Sequence, residues 1–146
     1  MDKIEFVRIG ILHSPLKKDH NVPHQTKYSD VEGSIEIYEK YSEGLKDLEE
    51  YEYIICISYL HLIKGPISLL SSSSRDNKMH GIFTIRTPRR PNPIGFSVLK
   101  LLERKNNILK VKNLDLIDQT PILDIKPFIP RIDNRETEKA GEIKRK

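Results

Sequence analysis

Apolar residues recur along this chain in short runs, and most runs have the two-residue period of a β-strand. Ile4 and Phe6 share one face before a more continuous apolar end at Leu12, which predicts a strand over residues 4–12 that His13-Ser14-Pro15 stops. Ile35 and Ile37 alternate with polar residues and predict a short strand over 34–38. Residues 53–60 are the most apolar segment and predict a central strand. Ile82, Phe83 and Ile85 predict that the segment 81–97 begins as a strand. Residues 96–104 and 108–114 predict a hairpin, because Asn106-Asn107 between them favours the positive φ of a tight turn. A last strand is expected over 122–125. Helical spacing is clear at Tyr41, Leu45 and Leu48, which predicts a helix over 41–51 with one buried stripe. Many short strands, one clear helix and proline-rich connections predict a mainly β fold. The expected form is a small β-barrel with one or two flanking helices.

The connections are less regular and carry more chemistry. Residues 17–33 are polar, contain Pro23, and have no usable period; they are expected to form a long loop, a kind of segment that is often functional. Residues 64–80 include four serines, Ser71 to Ser74, a run expected to be mobile. In the segment 81–97, Pro88, Pro91 and Pro93 fix φ and withhold donors, so neither helix nor central strand can continue there. The result is a stiff loop with three guanidinium groups, Arg86, Arg89 and Arg90. It is either a solvated turn or a preordered cradle for carboxylate or phosphate oxygens, which the planar guanidinium fork suits. The stretch Asp115 to Pro121 is a turn. Asp118 and Thr120 within it either cap backbone amides or offer a carboxylate to ribose hydroxyls or an amine. The barrel is expected to occupy residues 1–131 and a charged tail residues 132–146.

Charge sharpens this picture. Residues 64–100 hold seven Lys or Arg against one acid, an excess of +6 that exceeds the +4 of all 146 residues. Residues 30–52 hold nine acids and two lysines. One face therefore suits a polyanion, which could be nucleic acid, a nucleotide or a phosphorylated metabolite. The single cysteine, Cys56, lies in the central strand and is expected to be a buried, unreactive thiol. One cysteine allows no internal disulfide, and with no signal peptide or spanning run the expected setting is cytoplasmic. No metal site is expected: His20 and His24 are four apart, but Pro23 between them prevents a shared helix face. There is no glycine-rich dinucleotide turn and no phosphate-binding lysine loop. His61, at the end of the central strand, is either a satisfied core histidine or a base.

Several of these segments, taken in order, resemble the TsaA-like family. They are Ile9-Gly10 with His13-Ser14-Pro15, Pro23-His24-Gln25, Leu60-His61, Phe83 to Arg86, Arg90 to Ser97, and Asp115 to Pro121 followed by Asp124-Ile125-Lys126-Pro127. The likeness runs from about residue 4 to residue 131. That family contains the tRNA (N6-threonylcarbamoyladenosine-37) N6-methyltransferases. The resemblance implies a small β-barrel that binds S-adenosylmethionine, commonly forms a homodimer, and methylates N6 of threonylcarbamoyladenosine beside the anticodon. By position it implies cofactor contacts at Pro23, His24, Gln25, His61, Leu62, Arg86, Asp118, Gln119, Thr120 and Pro121. The family often has arginine where this chain has His24, and several bacterial relatives extend further at the C-terminus. Within that scheme His61 is the candidate catalytic base, and Lys78, Arg89, Arg90 and the tail are the candidate RNA contacts, gripping phosphates around the anticodon loop. The alternatives are a barrel that binds the cofactor or RNA without turnover, and a plain interaction protein.

Overall fold

The structure is a computed structural model that describes residues 2–18, 22, 23, 25–73 and 76–141. Its strands are β1 (Gly10–His13), β2 (Glu32–Ile37), β3 (Tyr53–Tyr59), β4 (Leu70–Ser72), β5 (Met79–Gly81), β6 (Ile94–Lys105), β7 (Ile108–Lys112) and β8 (Pro121–Pro127). Six of them close a barrel in the order β1-β2-β7-β6-β3-β8, and every neighbouring pair is antiparallel. β4 and β5 form a separate two-stranded ribbon. The expected mainly β barrel is therefore present, and among the described residues one short helix, α1 (Pro130–Asp133), and several 3-10 turns accompany it.

The two-residue period explains which side chains fill the barrel. On β3, Ile54, Cys56 and Ser58 point inward and are fully buried, while Ile55 and Ile57 alternate to the outer face. Leu12, Ile35, Leu99, Leu109, Val111 and Ile122 meet them from the other strands. Each such side chain contributes roughly 1.5–3 kcal/mol by leaving water, so this interior is the main source of stability. β6 is long because it serves two neighbours. Its first half pairs with β3, from Tyr59↔Ile94 to Tyr53↔Lys100, and its second half pairs with β7, from Lys100↔Lys112 to Lys105↔Ile108. A bulge between Leu101 and Glu103 bends it from one partner to the other. Asn106 takes φ 55° in the hairpin between β6 and β7, as the Asn-Asn pair predicts. Gly10 lies where β1 crosses β2 so closely that a Cβ would overlap the Glu36 carbonyl oxygen.

Four expectations need correction. The first strand covers only Gly10–His13, not residues 4–12. Past Gly10 one last bond joins the Tyr38 N–H to the Ile9 carbonyl, and there β2 turns away, so residues 2–8 lose their neighbour on that side. Ile4, Phe6 and Val7 are consequently exposed. The helix over 41–51 is instead two 3-10 turns, Glu39–Leu45 and Leu48–Glu50. Asp47 sits between them in the left-handed region at φ 70°, which breaks any continuous helix, although Leu45 is buried as the stripe predicts. Ile82, Phe83 and Thr84 form a 3-10 turn rather than a strand, because only Ile82 finds a buried position. Finally, Ser71 and Ser72 are not loose: they lie in β4, paired with His80 and Met79 of β5. Ser74 lies outside the described residues.

Strand direction then fixes where the connections go. β1, β3 and β7 end, and β2, β6 and β8 begin, at the same rim of the barrel. Residues 14–31, 60–93 and 113–120 all leave from this rim. The opposite rim carries residues 38–52 and the tight turn at Asn106-Asn107.

Candidate functional site

Apart from the tail, the three rim connections hold every candidate residue except Pro121, which opens β8 at the same rim. Sequence separation is large, yet the topology gathers the parts. Arg86, on the proline-braced loop, donates from Nη1 to Gln25 Oε1 at 3.2 Å, which joins the 60–93 connection to the 14–31 connection. Its guanidinium also lies over the Phe96 ring, 6.0 Å from the centroid. Both partners are accessible from solvent, so the cation presents a free edge. Pro23 is half-buried nearby in sequence. His24 lies outside the described residues.

Asp118 ties the opposite end of the same 14–31 connection. Its Oδ1 accepts from the Ser14 backbone N–H at 2.9 Å, and its Oδ2 accepts from Lys17 Nζ at 2.8 Å. The Lys17 ammonium, then the Ser14 amide, hold this carboxyl down to about 2. Gln119 takes φ 69°, donates from Nε2 toward Asp118 Oδ1, and is exposed. Thr120 is buried and donates its hydroxyl to the Ile117 carbonyl, and Pro121 is buried beside it. The turn therefore does cap backbone groups, and one cap reaches across to another connection. Arg86 and Asp118 share no contact. Both brace residues 14–31, one through Gln25 and the other through Ser14 and Lys17.

His61 follows β3 and is half-buried, with its Nδ1 enclosed and the Tyr59 carbonyl as its nearest polar influence, short of a well-formed hydrogen bond. Burial pushes its pKa below the ordinary histidine value. The Arg8 cation pushes the same way, and the Tyr59 carbonyl resists. The ring is thus neutral near pH 7 and able to take a proton. Ser58 Oγ, three residues earlier, is likewise buried without a partner. Leu62 is exposed at 39%.

The basic candidates behave differently from one another. Arg89 is exposed and donates to the Lys64 carbonyl at 2.8 Å. Arg90 is half-buried and donates from Nη1 to the carbonyls of Ile85 and Thr87, so it staples the loop that carries Arg86. Lys78 is exposed just before β5. Cys56 is enclosed, and burial, reinforced by Asp115 and Asp124, lifts its thiol to about 12. It is no nucleophile. Among the described residues no group of His, Cys, Asp and Glu could hold a metal ion. No helix there is long and apolar enough to cross a membrane.

Sequence reasoning missed Phe96, Lys17 and the pair Ser97–Asp115. Ser97 Oγ donates to Asp115 Oδ1 at 2.7 Å inside the rim, and burial lifts the Asp115 pKa against that bond. Phe96 could have been found: it stands between inward Gly95 and Ser97, so strand alternation turns it outward beside the arginine loop. A cavity of about 580 Å³ lies away from these groups, lined by residues of β2, β7 and the end of β6, including Ser34, Glu103 and Lys110. A smaller one, about 290 Å³, adjoins Gln25 through Thr26 and Lys27, with Tyr53, Val98 and Asn113 behind.

Comparison with known proteins gives a consistent picture. The family described as tRNA-methyltransferase O N-terminal domain matches residues 11–134. A Pyrococcus abyssi protein named as a probable S-adenosyl-L-methionine-binding protein is 46% identical over 138 residues, covering 94% of this chain and 74% of that one. The Escherichia coli tRNA (adenine(37)-N6)-methyltransferase is 31% identical over 140 residues, covering 89% of this chain and 60% of that enzyme. A crystal structure of TrmO superimposes with a TM-score of 0.80 at 26% identity, covering 96% of this chain. The chain spans 64% of that solved protein, just under two thirds.

Proposed function

The chain belongs to the tRNA-methyltransferase O N-terminal domain family, and from that membership we propose that it transfers a methyl group from S-adenosylmethionine to tRNA. The acceptor in this reading is N6 of threonylcarbamoyladenosine at position 37. The E. coli relative is named for methylation of that position, and the Pyrococcus relative is named for binding the cofactor. The observation that carries the reading is the shared rim: residues remote in sequence line one end of the barrel, and Arg86 bonds to Gln25 across two connections.

The donor set suits the cofactor. S-adenosylmethionine presents a carboxylate, an ammonium, ribose hydroxyls and an adenine, and when bound it supplies an electrophilic methyl on a sulfonium. Arg86 would hold the carboxylate with its free edge. Gln25, with Pro23 and His24 beside it, would meet the adenine edge. Asp118, with Gln119, Thr120 and Pro121, would supply acceptors to the ribose or the ammonium. His61, whose enclosed Nδ1 makes no well-formed hydrogen bond, would face the ligand from the end of β3. Leu62 would cover the ring's open side.

Methyl transfer is an in-line displacement, so these side chains act chiefly by fixing donor and acceptor. The acceptor nitrogen is urea-like and weakly nucleophilic. A neutral His61 would take its proton as the new N–C bond forms. Lys78, Arg89 and Arg90, with the basic tail, would hold phosphates around the anticodon loop. Tyr59 and Ile94, paired across β3 and β6 and both exposed, offer an apolar strip for a second copy, and we propose a homodimer joined there. The cytoplasm is the proposed setting, because tRNA is there.

The test is incubation with labelled S-adenosylmethionine and tRNA carrying threonylcarbamoyladenosine, followed by nucleoside analysis. A labelled N6-methyl product supports the reading. Cofactor binding with no product on modified or unmodified tRNA would leave the second reading, a barrel that binds without turnover, which the Pyrococcus relative's name favours.

A further inference from the structure

Phe83 is a large aromatic side chain that the fold spends in water. It is 77% exposed, although its neighbour Ile82 is 2% exposed. The turn that carries it is fixed at several points. The Ile82 N–H donates to the Leu69 carbonyl at 2.9 Å, the Ile85 N–H donates to the Ile82 carbonyl at 3.2 Å, and the Thr84 hydroxyl donates to the Gly81 carbonyl at 2.7 Å. Buried Ile82 anchors the turn, so the Phe83 ring is held outward by a rigid support rather than by a loose loop. Arg90 then closes the next turn through the Ile85 and Thr87 carbonyls, with Arg86 between. The chain around the ring, residues 64–100, has the +6 excess, and exposed Lys78 and Arg89 stand on either side of Phe83 in sequence.

A flat apolar face on a cation-rich stretch of chain suits an unpaired nucleobase, whose π-face stacks while its phosphates meet the cations. We propose that Phe83 is a stacking platform for an unpaired base of the RNA substrate, a base other than the one methylated. Lys78 and Arg89 hold the flanking phosphates. This rests on the tRNA reading above and adds to it a specific contact outside the cofactor residues. A base splayed onto Phe83 would be displaced from its neighbours in the loop, which helps present the target adenosine at the rim.

The test compares Phe83→Ala, Phe83→Leu and Phe83→Tyr in the full chain. The probe is an anticodon stem-loop RNA bearing threonylcarbamoyladenosine. The proposal expects Ala and Leu to weaken RNA binding about 5- to 150-fold, as loss of one stacked base does, with Tyr close to the parent. KM for RNA should rise while kcat and cofactor affinity hold. At 77% exposure the ring contributes little to folding, so all three variants should fold. Full affinity in Ala, or rescue by Leu, overturns the platform. So does a fall in cofactor affinity, which would put the ring against S-adenosylmethionine, or conversion of a dimer to a monomer, which would put it against a second copy. Failure of the parent protein to bind or methylate the stem-loop overturns the tRNA reading itself, and the platform with it.

Discussion

Replacing Arg86 with alanine separates a residue that holds the fold from one that waits for a ligand. In the free protein its attachments are weak. The bond to Gln25 is 3.2 Å long and exposed, and the approach to Phe96, at 6.0 Å, is at the outer limit of a cation–π contact. An exposed bond and an exposed cation–π contact together contribute roughly 1–2 kcal/mol, part of which solvent returns when the side chain is gone. Arg86→Ala should therefore lower stability by less than about 1 kcal/mol, a Tm change of a few degrees. The effect on S-adenosylmethionine should be larger. A charge-assisted bond to a carboxylate contributes about 1.5–3 kcal/mol, which is a loss of roughly 10- to 150-fold in affinity. Arg86→Lys keeps the charge but loses the fork, and should fall between parent and alanine. Calorimetric titration with the cofactor and thermal melts on the same preparations give both numbers. Unchanged cofactor affinity in Arg86→Ala would refute the assignment. A large loss of stability would refute the claim that the fold does not depend on it.

Three further outcomes follow from the same geometry. Asp118 is held near 2 in the folded protein against about 3.9 unfolded, so its contribution is fully present above pH 4 and is lost as pH falls toward 2. Because Lys17 is 56% exposed and solvent screens the pair, the loss should be about 1–2 kcal/mol rather than the full shift; Asp118→Asn should flatten denaturation curves across that window, and an unchanged pH dependence would argue against the clamp. His61, held below the ordinary value of about 6.5, should give the methylation rate an acid limb below that pH, and His61→Gln should abolish the limb; a rate that falls only above neutrality would remove the base. If Lys78, Arg89 and Arg90 each meet one phosphate, together they add about −2 to the slope of log affinity against log salt, and each alanine substitution should remove about 0.7 of it.

Much of the fold could be read from the residues, and the failures have identifiable causes. The interior positions of β3 and β6 follow from alternation alone, because a strand closed on both sides has one face for the core. The stiff arginine loop was legible because proline acts locally. Spacing misled where local rules met a tertiary constraint. Tyr41, Leu45 and Leu48 have helical spacing, but Asp47 at positive φ divides the segment to suit the span from β2 to β3. Ile4 and Phe6 have strand spacing, but no strand lies alongside them once β2 turns away. The role of Asp118 as a clamp on Ser14 and Lys17, 104 and 101 residues away in sequence, needed the barrel to be closed first.

The division of labour among the arginines follows from the same closure. A guanidinium has five donors, and a loop fixed by three prolines has carbonyls that its own backbone cannot satisfy. Arg90 turns inward and takes two of those carbonyls, while Arg89 takes the Lys64 carbonyl at the start of the same connection. Among the described residues Arg86 bonds to a side-chain amide and lies against a ring, both of them partners that a ligand can replace without leaving a buried group unpaired. The loop thus uses Arg90 and one nitrogen of Arg89 on its own shape, and leaves Arg86 and the rest of the Arg89 fork facing outward. The proposed methyl transfer, which acts chiefly by position, would gain from that arrangement: the cost of ordering the loop is met during folding, so little of the cofactor's binding energy would be consumed in closing the loop around it.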